Sequence, residues 1–437
     1  MVEKVMFWER QMECISKSEL ARVQLGRLKY MVKYVYRNSP FYRRKFRAAH
    51  VKPSDFRSID DLEHFPFTSK EDLRKNSYPY GGEFLCVPRE KIVCWHMTSG
   101  TTGKPTVGPY TSRDYDLWMN LMARSYMTAG VKPGDIIMNI YGYGLFTGGM
   151  GFHQSAQLVG ATVIPWSVGR TEALVETLRD FKATVLTGTP SYQYYISEVV
   201  RRLGLDPARD LSLRVSIPGA EMWTQELRER IENGLALKSH GGGARNVYGA
   251  TELCGPGPGQ ECVFEDGFHF WTDHWYLEIV DPRTGESVSP GTEGEMVITT
   301  LTREGMPLVR YRMGDITIVD ESPCNCGRVA YPRCKWIRGR VDDVIHIKGT
   351  KVWPSVVQEA LLGYPMIQEY QIVVDRRKPV HEMVLRVEVA DHSDLRLKQN
   401  IQASLHRRLF IQPDVELVKP GSLPRFEGKS KRVLVEE

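Results

Sequence analysis

The most informative stretch of the sequence is a short loop rich in glycine, hydroxyl and lysine side chains, made of Thr98, Ser99, Gly100, Thr101, Thr102, Gly103 and Lys104 ahead of Pro105. Glycine lets backbone N–H groups approach an anion, hydroxyls donate hydrogen bonds, and lysine neutralises charge. The composition therefore predicts a loop that wraps a chain of phosphates. It does not match the Walker A pattern, which needs glycine in place of Thr98 and serine or threonine in place of Pro105. An exposed loop without a function is the plain alternative.

Four further side chains have the types and the spacing of a metal site. Cys262 lies seven residues before His269, and Cys324 and Cys326 form a Cys-x-Cys pair. Three thiolates and one imidazole make a closed tetrahedral site, which suits structural Zn²⁺ and leaves no open position for catalysis. The alternative is a set of ordinary reduced, partly buried cysteines, and Cys334 is a candidate to replace one of the four ligands.

The glycine-rich loop resembles the phosphate loop of the AMP-forming adenylating superfamily, which includes acyl-CoA synthetases, amino-acid adenylation domains and luciferases. Other segments resemble the phenylacetate–CoA ligase family in particular and follow in that family's order, namely residues 66–74, 139–149, 187–192, 255–257 and 261–262. The resemblance implies an enzyme that uses ATP to convert an aromatic acid into an acyl-adenylate, with loss of pyrophosphate. Coenzyme A then takes the acyl group as a thioester, and AMP leaves.

The same resemblance implies which residues bind the nucleotide base and the α-phosphate. Residues 247–252 are similar to the family motif YGxTE, in which Tyr248, next to Gly249, would cover the adenine. Thr251 would bind the α-phosphate, and Glu252 would coordinate Mg²⁺, a hard cation that suits a carboxylate together with phosphate oxygens. The segment formed by Gly219, Ala220 and Glu221 would line the adenine and the acyl group.

Two more segments are implied to hold the ribose. Residues 311–315 resemble the motif YRTGD, in which Asp315 would accept hydrogen bonds from both ribose hydroxyls, a role that suits a carboxylate with its four acceptor sites. In residues 339–343, Arg340 would contact the ribose or a phosphate. A simple surface turn is the alternative for this last segment.

The resemblance also implies a moving part. Asp342 would be the hinge residue whose backbone torsions change as a small domain rotates. Near the end of the chain, Lys429 would be the catalytic lysine that bridges the attacking carboxylate and the α-phosphate, because it directly follows a glycine. Lys431 is the second candidate for that role.

The acyl group would lie beside the strand end at residues 141–149 and the turn at residues 189–191. The resemblance implies flat apolar walls for an aromatic ring and small residues that leave room for it, supplied by Tyr141, Gly142, Phe146, Gly149 and Pro190. Aromatic residues in an apolar segment also occur as plain core. The substituents of the ring do not follow from these residues.

The elements that must position these groups follow from hydrophobic periodicity. Residues 135–214 alternate short apolar runs with helical stretches such as 171–181, which predicts βαβ units and a mostly parallel sheet. Strands at 275–280 and 295–301, joined by a Pro/Gly turn, predict an antiparallel subdomain. An amphipathic helix from Ala21 to Asn38 would pack on this body.

After Arg340 the pattern changes to a compact α+β unit. It predicts helices at 355–362 and 395–410 and strands at 370–374, 383–389 and 415–418. We therefore expect an α/β fold of two domains, an N-terminal domain of residues 1–341 that binds ATP and the acyl group, and a small mobile C-terminal domain of residues 342–437.

Composition limits the classes of function. The 437 residues carry 58 Lys and Arg against 53 Asp and Glu, so the net charge is +5 and evenly spread, without the clustered basic footprint of a nucleic-acid binder. We find no apolar run of transmembrane length, and the acidic residues near the N-terminus are atypical of a signal peptide. We expect a cytoplasmic enzyme that binds neither membranes nor nucleic acids.

Two alternatives to a CoA ligase stay open. An adenylating enzyme of this kind could pass the acyl group to a carrier-protein thiol or an amine, with any carrier acting in trans. A zinc-containing binding module without catalysis, for RNA for example, is the third class, and the scattered charge counts against it. The choice between monomer and homodimer is open as well.

Overall fold

The computed structural model of the chain describes residues 5–98, 105–347, 350–364, 366–375, 382–409, 411–426 and 432–436. Its N-terminal part is helical, with α1 (Arg10–Glu13), α2 (Lys17–Asn38), α3 (Pro40–Ala48) and α4 (Lys70–Asn76). The sequence predicted α2 from Ala21, four residues too late. The helix begins earlier because Ser16 and Glu19 cap it reciprocally, each side chain accepting from the other's backbone N–H.

A parallel sheet with helices on it occupies the middle of the chain, as predicted. The strand order is β4-β3-β5-β6-β7, and all of these pairs are parallel. The elements of this region, with the β1–β2 hairpin that precedes it, are β1 (Ile92–Met97), β2 (Val107–Thr111), α5 (Ser112–Thr128), β3 (Ile136–Asn139), α6 (Thr147–Leu158), β4 (Thr162–Pro165), α7 (Thr171–Asp180), β5 (Val185–Gly188), α8 (Pro190–Arg202), α9 (Pro207–Asp210), β6 (Val215–Pro218), α10 (Gln225–Gly234) and β7 (Gly243–Ala244).

The predicted antiparallel subdomain follows. Its strand order is β11-β12-β13-β14-β10-β9-β8, and β15 pairs with β13. The strands are β8 (Val247–Ala250), β9 (Gly255–Glu261), β10 (Phe268–Phe270), β11 (Trp275–Val280), β12 (Glu293–Thr300), β13 (Tyr311–Asp320), β14 (Arg333–Cys334) and β15 (Gly339–Arg340). The register places Asp315 directly opposite Arg340.

The C-terminal part has the predicted α+β composition. Its main sheet has the order β20-β19-β18-β21 and packs with its helices around an apolar core of its own. The elements are β16 (Ile345–Ile347), β17 (Thr350–Val352), α11 (Pro354–Leu362), β18 (Glu369–Asp375), β19 (Glu382–Glu388), α12 (Leu395–Leu409), β20 (Asp414–Val418) and β21 (Val433–Glu436). Within the described residues, no helix combines the length and the apolar character that crossing a membrane requires.

Candidate active site

The candidate site lies at the carboxyl edge of the parallel sheet, where open α/β sheets bind their ligands. Asn139, the last residue of β3, fixes the loop that follows it. Its Nδ2 donates to the Gly149 carbonyl at 2.9 Å, and its Oδ1 accepts from the Tyr141 backbone N–H at 3.2 Å and from the Thr187 hydroxyl at 2.9 Å. Sequence reasoning assigned Asn139 no role, although a buried amide at the end of an apolar strand is a signal for one.

Tyr141 and the glycines predicted for the acyl pocket lie along this loop. The Tyr141 ring stacks on Phe152, with centroids 4.8 Å apart and planes 13° from parallel. Burial raises the pKa of Tyr141, and its hydroxyl has no hydrogen-bond partner within the described part of the chain. A Cβ on Gly149 would lie 2.6 Å from the Gly142 carbonyl oxygen, so this close approach requires glycine.

The two other residues predicted for the pocket differ in exposure. Pro190 is buried and opens α8, directly after the carboxyl end of β5. Phe146 precedes α6 and is 53% exposed. Pro190 therefore lies in a packed region, whereas Phe146 lies at the surface of its loop.

The segment after β6 is held in an unusual backbone conformation. Ala220 has a φ of +69°, which is rare for a residue with a side chain. Gly219 passes so close to β8 that a Cβ would lie 2.5 Å from Val247 Cγ1. Glu221 accepts a hydrogen bond from the Ser191 hydroxyl at 2.6 Å, which ties this segment to α8.

Residues predicted from three separate motifs form one hydrogen-bonded series. The Tyr248 hydroxyl donates to Asp315 Oδ2 at 2.6 Å, and Arg340 Nη1 donates to Asp315 Oδ1 at 2.6 Å. Arg340 Nε in turn donates to Asp342 Oδ1 at 2.9 Å. The Tyr248 ring stacks on Phe268, with a centroid distance of 5.1 Å and an interplanar angle of 7°. The pairing of β13 with β15 creates this arrangement.

The charges in this series stabilise one another. Burial lowers the pKa of Arg340, but Asp315 and Asp342 outweigh it and hold that pKa above its ordinary value. Burial raises the pKa of Asp342, but Arg340 and Lys70 hold it below its ordinary value. Lys70 Nζ lies 3.5 Å from Asp342 Oδ2. Sequence reasoning did not identify Lys70, since it is one of many surface lysines in the chain.

The residues predicted for the phosphate and Mg²⁺ lie on a 3-10 turn at Thr251–Leu253, after β8. Glu252 is buried, and its carbonyl accepts from Arg303 Nη1 at 2.6 Å. A Cβ on Gly249 would lie 2.2 Å from the Gly255 carbonyl oxygen. A Cβ on Gly108, in β2, would lie 3.1 Å from the Thr251 carbonyl oxygen, so the hairpin that carries the phosphate loop passes directly beside Thr251.

The predicted phosphate loop itself is described only at its ends. Two hydrogen bonds between Thr98 and Thr106 close it. The Thr98 backbone N–H donates to the Thr106 carbonyl at 3.0 Å, and the Thr106 backbone N–H donates to the Thr98 hydroxyl at 3.0 Å. The remaining predicted residues of the loop lie outside the described part, namely Ser99, Gly100, Thr101, Thr102, Gly103 and Lys104. Lys429 and Lys431 also lie outside it, between Phe426 and Arg432.

The predicted metal ligands Cys262, His269, Cys324 and Cys326 form a buried group whose ligand atoms all lie within 4.8 Å of one another. Cys262 Sγ lies 3.8 Å from Cys324 Sγ, and Cys326 Sγ lies 3.2 Å from His269 Nε2. Tetrahedral zinc with Zn–S bonds of about 2.3 Å separates two thiolates by about 3.8 Å. The donor set and the spacing therefore fit zinc. Cys334 is buried in β14 and does not belong to the group.

Comparison with known proteins agrees with this architecture. The profile of AMP-binding enzymes matches residues 43–302, and the profile of the AMP-binding enzyme C-terminal domain matches residues 349–436. The chain thus has the two domains of an AMP-binding enzyme. A phenylacetate-coenzyme A ligase of Thermus thermophilus is 42% identical over an alignment of 451 residues, gaps included, that covers 98% of this chain and 99% of that protein. The chain belongs to the phenylacetate-coenzyme A ligase family.

Two solved structures of a 2-hydroxyisobutyryl-CoA ligase, called HCL, differ in how closely they match this chain. The postadenylation state in complex with 2-HIB-AMP gives a TM-score of 0.91 at 29% identity, covering 98% of this chain and 92% of that one. The thioesterification state in complex with 2-HIB-AMP and CoA gives 0.73 at 30% identity, with coverage of 98% and 92%. Because both structures are of one ligase, the difference reflects its conformation. The present structure resembles the postadenylation state.

Proposed function

We propose that the protein is an ATP-dependent aromatic acid–CoA ligase. It forms an acyl-adenylate and then a CoA thioester, and it releases pyrophosphate and AMP. The single observation that carries the proposal is the hydrogen-bonded series Tyr248–Asp315–Arg340–Asp342, within a chain that matches a phenylacetate-coenzyme A ligase over nearly its whole length.

In the first half-reaction, an oxygen of the acid attacks the α-phosphorus of ATP, and pyrophosphate leaves. Asp315 positions the nucleotide through the ribose hydroxyls, and Tyr248 covers the adenine. Thr251 donates to the α-phosphate, and Lys429 offsets the negative charge that develops between the carboxylate and the phosphate. The glycine-rich loop of residues 98–104 holds the departing phosphates.

The buried carboxylate of Glu252, beside the hairpin that carries the phosphate loop, suits Mg²⁺, because hard cations prefer oxygen ligands. Bound Mg²⁺ neutralises phosphate charge. In the proposed reaction, the Glu252 carboxylate lies within reach of the phosphates of ATP. Its neighbour Arg303 holds the turn by donating to the Glu252 carbonyl.

The proposed substrate is an aromatic acid. The stacked Tyr141 and Phe152 rings supply a flat apolar wall, and Gly142 and Gly149 keep the loop beside it free of side chains. The relative from Thermus thermophilus is named for phenylacetate, which is an aryl acid. Tyr141, Phe152 and Pro190 form the wall in this proposal, and the exposed Phe146 lies at the entrance.

Two structural elements complete the proposal. Cys262, His269, Cys324 and Cys326 would hold Zn²⁺, which would cross-link β9, β10 and the loop after β13. The boundary between the domains lies at residues 341 and 342, and the small domain rotates about Asp342 between half-reactions. The separate core of the C-terminal part and the two TM-scores support this division. Cytoplasmic location stays a prediction of the sequence, and the choice between monomer and homodimer stays open.

Pyrophosphate and AMP release with a panel of aryl acids, with and without CoA, tests the proposal. We expect an acid-dependent release of pyrophosphate and the formation of AMP and thioester only when CoA is present. Adenylate that accumulates and is never transferred to CoA would point to a carrier-protein thiol or an amine as the acceptor. A protein that releases no pyrophosphate with any acid would not be an adenylating enzyme.

A further inference from the structure

A small polar cavity lies between α8 and the C-terminal part. It is lined on the α8 side by Ser191, Tyr194, Tyr195 and Glu198, and on the C-terminal side by Gln368, Glu369, Arg425, Phe426 and Arg432. The proposed chemistry assigns no role to Glu198 or Arg425. Their charges are opposite, and they belong to the two parts that are proposed to rotate against each other.

The C-terminal part holds Arg425 firmly in place. Arg425 Nη1 donates to Glu388 Oε2 at 3.1 Å, and the Leu423 backbone N–H donates to the same oxygen at 3.0 Å. The Glu388 side chain is completely buried, whereas that of Arg425 is 28% exposed. Arg425 also lines the cavity, so the buried carboxylate of Glu388 holds its guanidinium beside the cavity.

Glu198 faces Arg425 across the cavity from α8. Burial raises the pKa of Glu198, and its Tyr194 hydrogen bond and the charge of Arg425 oppose that shift. Glu198 is in turn among the groups that raise the pKa of Arg425, after Glu388 and Glu369. The two groups therefore attract each other in this arrangement of the domains.

A second arginine of the C-terminal part, Arg432, lines the same cavity. Arg432 Nε donates to Glu369 Oε1 at 2.8 Å, and its guanidinium lies over the Tyr370 ring, 5.0 Å from the centroid. The charge of Glu221, on the large part, also contributes to the raised pKa of Arg432. Glu198 and Glu221 thus lie on the large part, and Arg425 and Arg432 lie on the small part together with Glu369, whose repulsion of Glu198 is weaker than the attraction of Arg425. The two arginines flank Lys429 in the sequence.

We propose that Glu198 is a positioning residue for the adenylation half-reaction. Its attraction for Arg425 favours the orientation of the small domain seen here, which resembles the postadenylation state of HCL. The attraction is lost when the small domain turns for thioester formation. Glu198 therefore biases the equilibrium between the two orientations and touches neither substrate. The inference rests on the proposed function, because it assigns the contact to one of the two half-reactions.

The test is the variant Glu198→Arg, which places two like charges across the cavity. Ion pairs that are partly exposed are worth up to about 1 kcal/mol, so we expect pyrophosphate release to slow by about fivefold, and by more if repulsion adds to the loss. Thioester formation from supplied acyl-adenylate and CoA should be unchanged or faster. The variant Glu198→Gln should show the same selectivity with a smaller effect.

The matched control is Glu172→Arg. Glu172 lies on α7 and pairs with Arg202, the last residue of α8, at 3.0 Å on the exposed surface. Glu172→Arg reverses the same charge on the helix next to α8, away from the small domain, and should change neither half-reaction. Raising the salt concentration should slow adenylation in the wild type but not in Glu198→Gln, because the attraction is screened.

Small-angle X-ray scattering provides a readout that does not depend on activity. We expect Glu198→Arg to shift the scattering of the protein away from the profile calculated for the present arrangement, with Glu172→Arg unchanged. Equal loss of both half-reactions, or an unchanged scattering profile with unchanged adenylation, would overturn the inference. A wild type that never releases pyrophosphate would overturn the proposed function instead, and the scattering comparison would still decide whether Glu198 holds the domains.

Discussion

Replacing Asp315 with asparagine tests the proposed nucleotide site at one atom. The carboxylate accepts from Tyr248 and Arg340, both at 2.6 Å, and is proposed to accept from the ribose hydroxyls as well. Asparagine keeps the shape of the side chain but replaces one acceptor oxygen with a donor NH₂ group. That NH₂ group must then face another donor, which is a ribose hydroxyl, the Tyr248 hydroxyl or the Arg340 guanidinium. Losing one hydrogen bond to a charged group costs about 1.5–3 kcal/mol, so kcat/KM for ATP should fall by about 10- to 150-fold.

The assay is pyrophosphate release at subsaturating ATP, with the acid saturating. Asp320→Asn is the matched control, because Asp320 lies on the same strand and accepts from Arg333 at 2.7 Å, away from the candidate site. We expect the control to have the kcat/KM for ATP of the wild type. We expect Asp315→Asn and Asp320→Asn to unfold at similar temperatures. An Asp315→Asn enzyme with wild-type kcat/KM for ATP would refute the role of this carboxylate.

Three further predictions concern the lysine, the metal and acid stability. Lys429→Ala should abolish pyrophosphate release but spare thioester formation from supplied adenylate, and equal loss of both would refute its assignment. An elemental assay should find about one zinc per chain in the wild type, and Cys326→Ser should lose it whereas Cys334→Ser should keep it; wild-type protein without zinc would remove the metal proposal. Burial raises the pKa of Glu388, but Arg425 outweighs burial and holds that pKa below its ordinary value. The ionised pair therefore stabilises the fold above about pH 4.5, and this stabilisation decreases as the pH falls. Urea unfolding should therefore depend less on pH between about pH 5 and 3 in Glu388→Gln than in the wild type, and an identical dependence would contradict this.

Hydrophobic periodicity predicted the layers of the fold because each element buries one face. The strands at 275–280 and 295–301 appear as β11 and β12 within two residues of the predicted ends. The late start of α2 arose because the first turn of that helix is polar, and only the Ser16–Glu19 cap marks where it begins.

The site could be predicted as separate motifs but not as an arrangement. Tyr248, Asp315 and Arg340 each came from their own segment, and only the pairing of β13 with β15 shows that they share hydrogen bonds. The grouping of three cysteines with one histidine was predictable, since Cys-x-Cys spacing and a Cys–His pair are local signals. Glu198 and Arg425 carry no such signal, because they are far apart in sequence and line the same cavity only through the packing of the C-terminal part beside α8.

The central claim is that the protein cleaves ATP in order to activate an acid, and ATP–pyrophosphate exchange tests it most directly. Purified protein with ATP, Mg²⁺, labelled pyrophosphate and a panel that includes phenylacetate, indoleacetate and benzoates should incorporate label into ATP in the presence of at least one acid, without any need for CoA. Absence of exchange with every acid in the panel would contradict the account.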